Sequence, residues 1–123
     1  MRIMLPYPPS ANRMWRRSGY TIHLSREGHA YKQQVAWLAI AAGLKPQEGP
    51  MVVDYVLHPR QTKTGKESKT RIDLGNCEKV ASDALNGVAW RDDKQLVSIT
   101  LRLGEALPEG GLSVTINAPM ERG

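Results

Sequence analysis

The sequence predicts an α+β fold, a mixed sheet packed against two helices in the order β-β-α-β-α-β-β. Three observations predict it. The run Met51-Val52-Val53-Asp54-Tyr55-Val56-Leu57-His58 is the strongest strand pattern in the chain. Two segments, starting at Ser25 and at Asp73, carry apolar residues at helical spacing behind residues that cap helices. Two further apolar runs, residues 95–103 and 112–118, close the chain as strands.

Taken in order, residues 2–6 alternate weakly and form a short strand stopped by Pro6, Pro8 and Pro9. Residues 8–13 follow as a stiff, turn-rich connection, and residues 20–24 as a second strand. Ser25 then caps a helix that tolerates Gly28 in its first turns. That helix places Ala30, Tyr31, Val35, Leu38 and Ala39 on one face and ends at Gly43. Trp37, on the same apolar helix, is expected in the core. Residues 59–70, PRQTKTGKESKT, contain no apolar side chain and are expected to form a mobile loop. A second helix runs from about residue 74 to 86 and is closed by Gly87. The last two strands are expected to run antiparallel. The length of 123 residues suits one domain, 1–119, with a short tail at 120–123.

Composition narrows the function. No stretch approaches the roughly 20 apolar residues that cross a bilayer. Prolines interrupt the N-terminus where a signal peptide needs an apolar run, so a cytoplasmic protein with no membrane contact is expected. A lone cysteine, Cys77, forms no internal disulfide, and with His23, His29 and His58 scattered a structural zinc site is disfavoured. The net charge of +5 is unevenly spread. Arg2, Arg13, Arg16 and Arg17 give residues 1–20 a charge of +4 with no acid. Arg60, Lys63, Lys66, Lys69 and Arg71 against Glu67 give residues 59–72 another +4, so the remainder carries −3. Two basic segments on a mildly acidic body suit a polyanion, and equally suit two solvated loops.

The segment with most chemistry is residues 72–97, IDLGNCEKVASDALNGVAWRDDKQLV. Measured from Asp73 at about 100° per residue, Leu74, Cys77, Ala81, Ala84 and Leu85 cluster between roughly 20° and 120°, with Val80 beside them. Asn76, Lys79 and Asp83 lie together on the flank between about −60° and −120°. Further on, Asp92-Asp93 precedes a strand. Two carboxylates drawn from a helix start and a strand start could hold a hard cation, which activates water and stabilises charge on a phosphoryl group. Lys79 could neutralise a phosphate. Each residue also has a plainer reading. Asp73 is a good N-cap, Asp92-Asp93 an exposed turn, Lys79 and Asp83 an i,i+4 pair, and Cys77 a small core residue.

The combination carries more than its parts. PYPPSANRMWRR, the basic segment, D-L-x-N-x-x-K at a helix start, D-A-L, and W-x-D-D-x-Q before a strand occur in one order. This pattern resembles the RusA family of Holliday-junction resolvases, over about residues 5–116 and most densely at 71–97. The resemblance implies a Mg²⁺-dependent endodeoxyribonuclease, with Mn²⁺ as an alternative metal, that cuts four-way DNA junctions as a homodimer. It implies Asp73 and Asp93 as metal-binding catalytic residues and Lys79 as the catalytic lysine. It further implies DNA contacts from Asn12, Arg13, Arg16, Arg17, Lys63, Lys66, Lys69, Arg71 and Asn76.

One position departs from the family pattern Asp-Leu-Asp-Asn, which here reads Asp73-Leu74-Gly75-Asn76. Glu78, at about 140°, points away from the Asn76 flank, and Asp83 lies about 15 Å of helix rise from Asp73. Asp92 is a substitute if its turn bends inward. Mg²⁺ keeps part of its hydration, so two carboxylates can still bind it. The alternative is a junction-binding protein whose nuclease is weakened or lost through Gly75. A third reading is a basic module without shape preference, with Trp15, Trp37 and Trp90 as stacking surfaces.

Overall fold

The computed structural model describes residues 1–119, and the tail at 120–123 lies outside them. Its axis is β4 (Met51–His58), whose Met51, Val53, Tyr55 and Leu57 are buried on one face, the period of two that its sequence carries. β6 (Gly111–Asn117) pairs antiparallel on one side of β4, with Tyr55 opposite Val114. β1 (Arg2–Leu5) adds antiparallel outside β6, with Ile3 opposite Val114. β5 (Leu96–Leu103) runs parallel on the other side, Tyr55 opposite Leu101, so the sheet order is β1-β6-β4-β5. The fold is the expected α+β domain with a mixed sheet.

Two helices cover the Tyr55 face. α2 (Arg26–Ala41) begins where the Ser25 side chain accepts a bond from the Gly28 N–H at 2.9 Å. It buries Gly28, Tyr31, Val35 and Ala39, and Gly43 follows in a left-handed conformation (φ +79°) that favours glycine. α3 (Leu74–Leu85) buries Cys77, Val80, Ala81, Ala84 and Leu85, the face its spacing predicts. Full burial of side chains the size of Val80 or Leu85 contributes about 1.5–3 kcal/mol each. Tyr55 reaches up from β4 to bond Ser82 Oγ at 2.8 Å, and that bond locks α3 over the sheet.

Several expectations are corrected. The strands at 95–103 and 112–118 run antiparallel, as expected, but are not neighbours: β6 is inserted between β1 and β4, and β5 lies beyond β4. The reason is the crossover, because α3 separates β4 from β5 and a strand–helix–strand unit returns in parallel. Trp37 is not in the core but 64% exposed. It follows Val35 by two residues, about 200° around the helix, so it faces away from the buried stripe. Ala30 and Leu38 likewise fall outside that stripe.

The segment after Pro9 is more structured than a turn-rich connection. It forms one turn of helix, α1 (Ala11–Met14), and a strand, β2 (Trp15–Ser18). The expected second strand, β3 (Thr21–Leu24), pairs only with β2, in a two-stranded sheet separate from the main one. Gly28 is required rather than tolerated, since a Cβ there would lie 2.2 Å from the Met14 carbonyl oxygen. Residues 59–70 carry a local ladder: the Ser68 N–H donates to the Arg60 carbonyl at 2.8 Å, and Gly65 turns the chain with φ +79°.

Candidate active site and nucleic-acid surface

Asp73 ends an extended stretch and opens α3. Its approach is fixed from the N-terminal segment, where the Tyr7 hydroxyl accepts a bond from the Ile72 N–H at 2.7 Å. Asp73 Oδ1 accepts from the Asn76 N–H and Oδ2 from Asn76 Nδ2, each at 2.8 Å. These bonds hold its carboxyl below the usual carboxylate range, with the Arg71 charge adding a smaller effect in the same direction. Asp73 is therefore an N-cap, as its plainer reading held. Capping uses one lone pair on each oxygen, and the exposed carboxylate keeps the others for a cation.

Asp93 is held by other means. It opens a single 3₁₀ turn (Asp93–Gln95) before β5, and its Oδ1 accepts the indole N–H of Trp90 at 2.8 Å. Trp90 is fully buried, so the core itself aims this carboxylate. Asp92 is turned the other way, accepting the Lys94 N–H at 2.9 Å in a capping box with Gln95. Gln95 Oε1 accepts from the Arg91 and Asp92 N–H groups, and its Nε2 donates to the Gln47 and Gly49 carbonyls. The W-x-D-D-x-Q pattern is thus a tied turn that presents Asp93 and commits Asp92 to capping.

The flank of Asn76, Lys79 and Asp83 faces α1 and α2. Lys79 Nζ sits 5.3 Å from the centre of the Trp15 ring, and Asp83 is 3.7 Å from Lys32 of α2. Glu78 takes the other side, where its Oε1 accepts from Ser82 Oγ at 2.8 Å and leads through Ser82 to Tyr55. Burial pushes the Tyr55 phenol up, and the negative charges of Glu78 and Asp93 add to that. Cys77 is buried between these groups; burial, then the charges of Glu78 and Asp73, push its thiol up to about 12. A thiol held protonated in this way is a core residue and not a nucleophile.

No group of three or more His, Cys, Asp or Glu residues is placed to share a metal ion among the described residues. A Cβ added at Gly75 would meet only Asp73 Oδ1, at an ordinary 3.5 Å. The backbone thus leaves room for a third carboxylate beside Asp73, and the sequence lacks it. Asp73 and Asp93 carry carboxylate oxygens, the donor type that hard cations take.

Basic side chains gather in two places. Arg13, Arg60 and Arg71 line a groove of about 540 Å³ together with Tyr7 and Thr70, immediately before Asp73. Arg60 lies over the Tyr7 ring at 4.3 Å. Sequence reasoning counted its charge but did not single it out, and the signal was its place at the head of the basic segment. Asn12, Arg16, Arg17 and Lys79 line a second hollow of about 480 Å³ around Trp15 and Ile22. Lys63, Lys66 and Lys69 are exposed on the 59–70 turn.

The comparisons with known proteins agree with one another. A family model described as Endodeoxyribonuclease RusA matches residues 6–117. The chain is 34% identical over 116 residues to a Crossover junction endodeoxyribonuclease RusA of Escherichia coli (strain K12), covering 93% of this chain and 91% of that protein. It is 33% identical over 118 residues to the protein of that name from Enterobacteria phage 82, with the same coverage. The corresponding protein of Shigella sonnei (strain Ss046) is 32% identical over 121 residues. With the match spanning every strand but β1, the helices and both acidic turns, the chain belongs to the RusA endodeoxyribonuclease family.

Proposed function

We propose that this chain is a structure-selective DNA endonuclease that resolves four-way (Holliday) junctions by metal-dependent phosphodiester hydrolysis as a homodimer. The observation that carries the reading is Asp73, an exposed and ionised carboxylate at the head of α3, flanked by the Arg13–Arg60–Arg71 groove in a RusA-family chain. Arginines at the groove bind backbone phosphates and set the DNA against the helix start. Asp73 and Asp93 would hold Mg²⁺ or Mn²⁺, which when bound supplies an acidified water and charge stabilisation at the phosphoryl oxygens. Lys79, fixed beside Trp15, offers a positive charge to a phosphate on the opposite flank. Asp73→Asn keeps a capping side chain and removes the charge. It is expected to bind a synthetic junction like the parent chain and to lose cleavage by at least about a hundredfold. Cleavage at the parental rate would remove Asp73 from the metal site.

The dimer follows from the task, since two equivalent strands are nicked and a two-fold axis presents two identical sites. β5 is the surface that suits it. It is a sheet edge whose outer side has no strand partner among the described residues, and Val97, Ile99 and Leu103 are exposed on its helix-facing side. Pairing β5 with its own copy, antiparallel about Thr100, sets Val97 against Leu103 and Ile99 against Leu101 across the seam. Ile99→Lys is expected to give a monomer by sedimentation, and an unchanged dimer would place the interface elsewhere.

A second reading has its own observation, the open space at Gly75. If two carboxylates are too few, the chain binds junctions and does not cut them.

A further inference from the structure

The β2–β3 ribbon stands apart from the main sheet, and its composition is unusual for an exposed hairpin. A ribbon of two four-residue strands is marginal alone, so its root must be fastened. The Ser25 N–H donates to the Met14 carbonyl at 2.9 Å, Met14 is fully buried, and Trp15 and Leu24 pack half-buried as the first opposed pair. The other end is free. Gly19 and Tyr20 form a two-residue turn in which only Gly19 has positive φ (+61°), the arrangement of a type II′ hairpin. That turn puts Tyr20 at the outermost point, 104% exposed, with Ile22 just behind it at 69%.

Register then decides what surrounds these two side chains. Arg17 is opposite Ile22 and Arg16 opposite His23. Trp15, Arg17, Ile22 and Leu24 therefore share one face of the ribbon. That face borders the hollow lined by Asn12, Arg16, Arg17 and Lys79. No acidic residue occurs between positions 11 and 24. The ribbon joins an exposed aromatic and an exposed aliphatic side chain to Arg16 and Arg17, with Lys79 of α3 lining the adjacent hollow, and its length carries the tip roughly 13 Å beyond Trp15.

Phosphates alone would call for cations without an apolar tip. A continuous duplex keeps the faces of its bases inside the stack, whereas a branch point leaves base-pair faces uncovered. Aromatic and apolar side chains bind such faces, and adjacent cations bind the phosphates beside them. We propose that the Tyr20–Ile22 tip seats against unstacked bases at the centre of branched DNA while Arg16, Arg17 and Lys79 hold the neighbouring phosphates. The ribbon is then the element that distinguishes a branch from a duplex. This inference rests on the junction-resolving reading above.

The test uses the full chain in metal-free buffer, with a four-way junction carrying 2-aminopurine at the branch and a linear duplex of the same arm sequence. The variants are Tyr20→Ser, Ile22→Ser and their combination. Both residues are exposed, so thermal melting should be unchanged, and Tyr20→Phe should behave like the parent chain. The double variant is expected to bind the junction about tenfold more weakly and the duplex within twofold of the parent, and to lose the fluorescence rise at the branch. Equal weakening on both DNAs, or none on either, would overturn the proposal. So would a fall in molecular mass of the double variant, which would make the tip a contact between copies of the chain. A parent chain that binds junction and duplex alike would instead overturn the junction-resolving reading on which the proposal rests.

Discussion

Asp73 and Asp93 are both exposed carboxylates accepting hydrogen bonds of 2.8 Å, but they are aimed by opposite means. Asp73 is held by Asn76, three residues along its own helix, through a backbone and a side-chain donor. Asp93 is held by the indole of Trp90, which is fixed by the whole core, while Gln95 ties the turn to carbonyls more than forty residues away. The Asp73 carboxylate is held within its own helix, although Tyr7 fixes the chain leading to it, whereas Asp93 takes its aim from a side chain buried in the core. Damage to the core should therefore disturb the Asp93 carboxylate more than that of Asp73.

The largest break in that comparison is Trp90→Phe. It removes the donor to Asp93 and leaves a void in the core, and is expected to cost about 1–3 kcal/mol of stability by denaturant unfolding. Cleavage should fall more than junction binding, because the Arg13–Arg60–Arg71 groove lies elsewhere. A variant that loses both in proportion would show that Trp90 supports only the fold. Asn76→Ala is the local counterpart and should be milder, since the backbone N–H of residue 76 still caps the helix.

The smallest effect is one of titration. The folded state lowers the Asp73 pKa below 3.8. The stability this contributes is fully present above that ordinary value and is lost as pH falls through the lower folded one. Asn76→Ala should move the Asp73 titration back toward 3.8, read by carboxyl NMR, and cost a small part of the stability at neutral pH while leaving that in strong acid unchanged. No movement would assign the lowering to the backbone N–H of residue 76, the larger cause, which the variant keeps.

What was legible in the sequence follows the same division. The Asp73 cap, the buried face of α3, the stop at Gly87 and the basic segments are local patterns, and the structure carries each of them. Tertiary features were hidden. Trp-Arg-Arg-Ser does not look like a strand until Thr21–Leu24 lies beside it. Gly28 shows its necessity only when the Met14 carbonyl is seen against it. Lys79 shares one flank with Asn76 by spacing, but nothing in the spacing says that this flank meets Trp15. The neighbour of β5 is not legible from adjacency in the chain, because the crossover helix sets β5 beside β4.

The central claim is that Asp73 and Asp93 suffice, with a metal, for junction cleavage despite Gly75. The direct measurement is single-turnover cleavage of a synthetic four-way junction under titration with Mg²⁺ and with Mn²⁺, for the parent chain and for Gly75→Asp. The account predicts symmetric paired nicks from the parent chain that require either metal, with Gly75→Asp lowering the metal concentration at half-maximal rate. Tight binding by the parent chain without cleavage in either metal, and cleavage appearing only in Gly75→Asp, would contradict it.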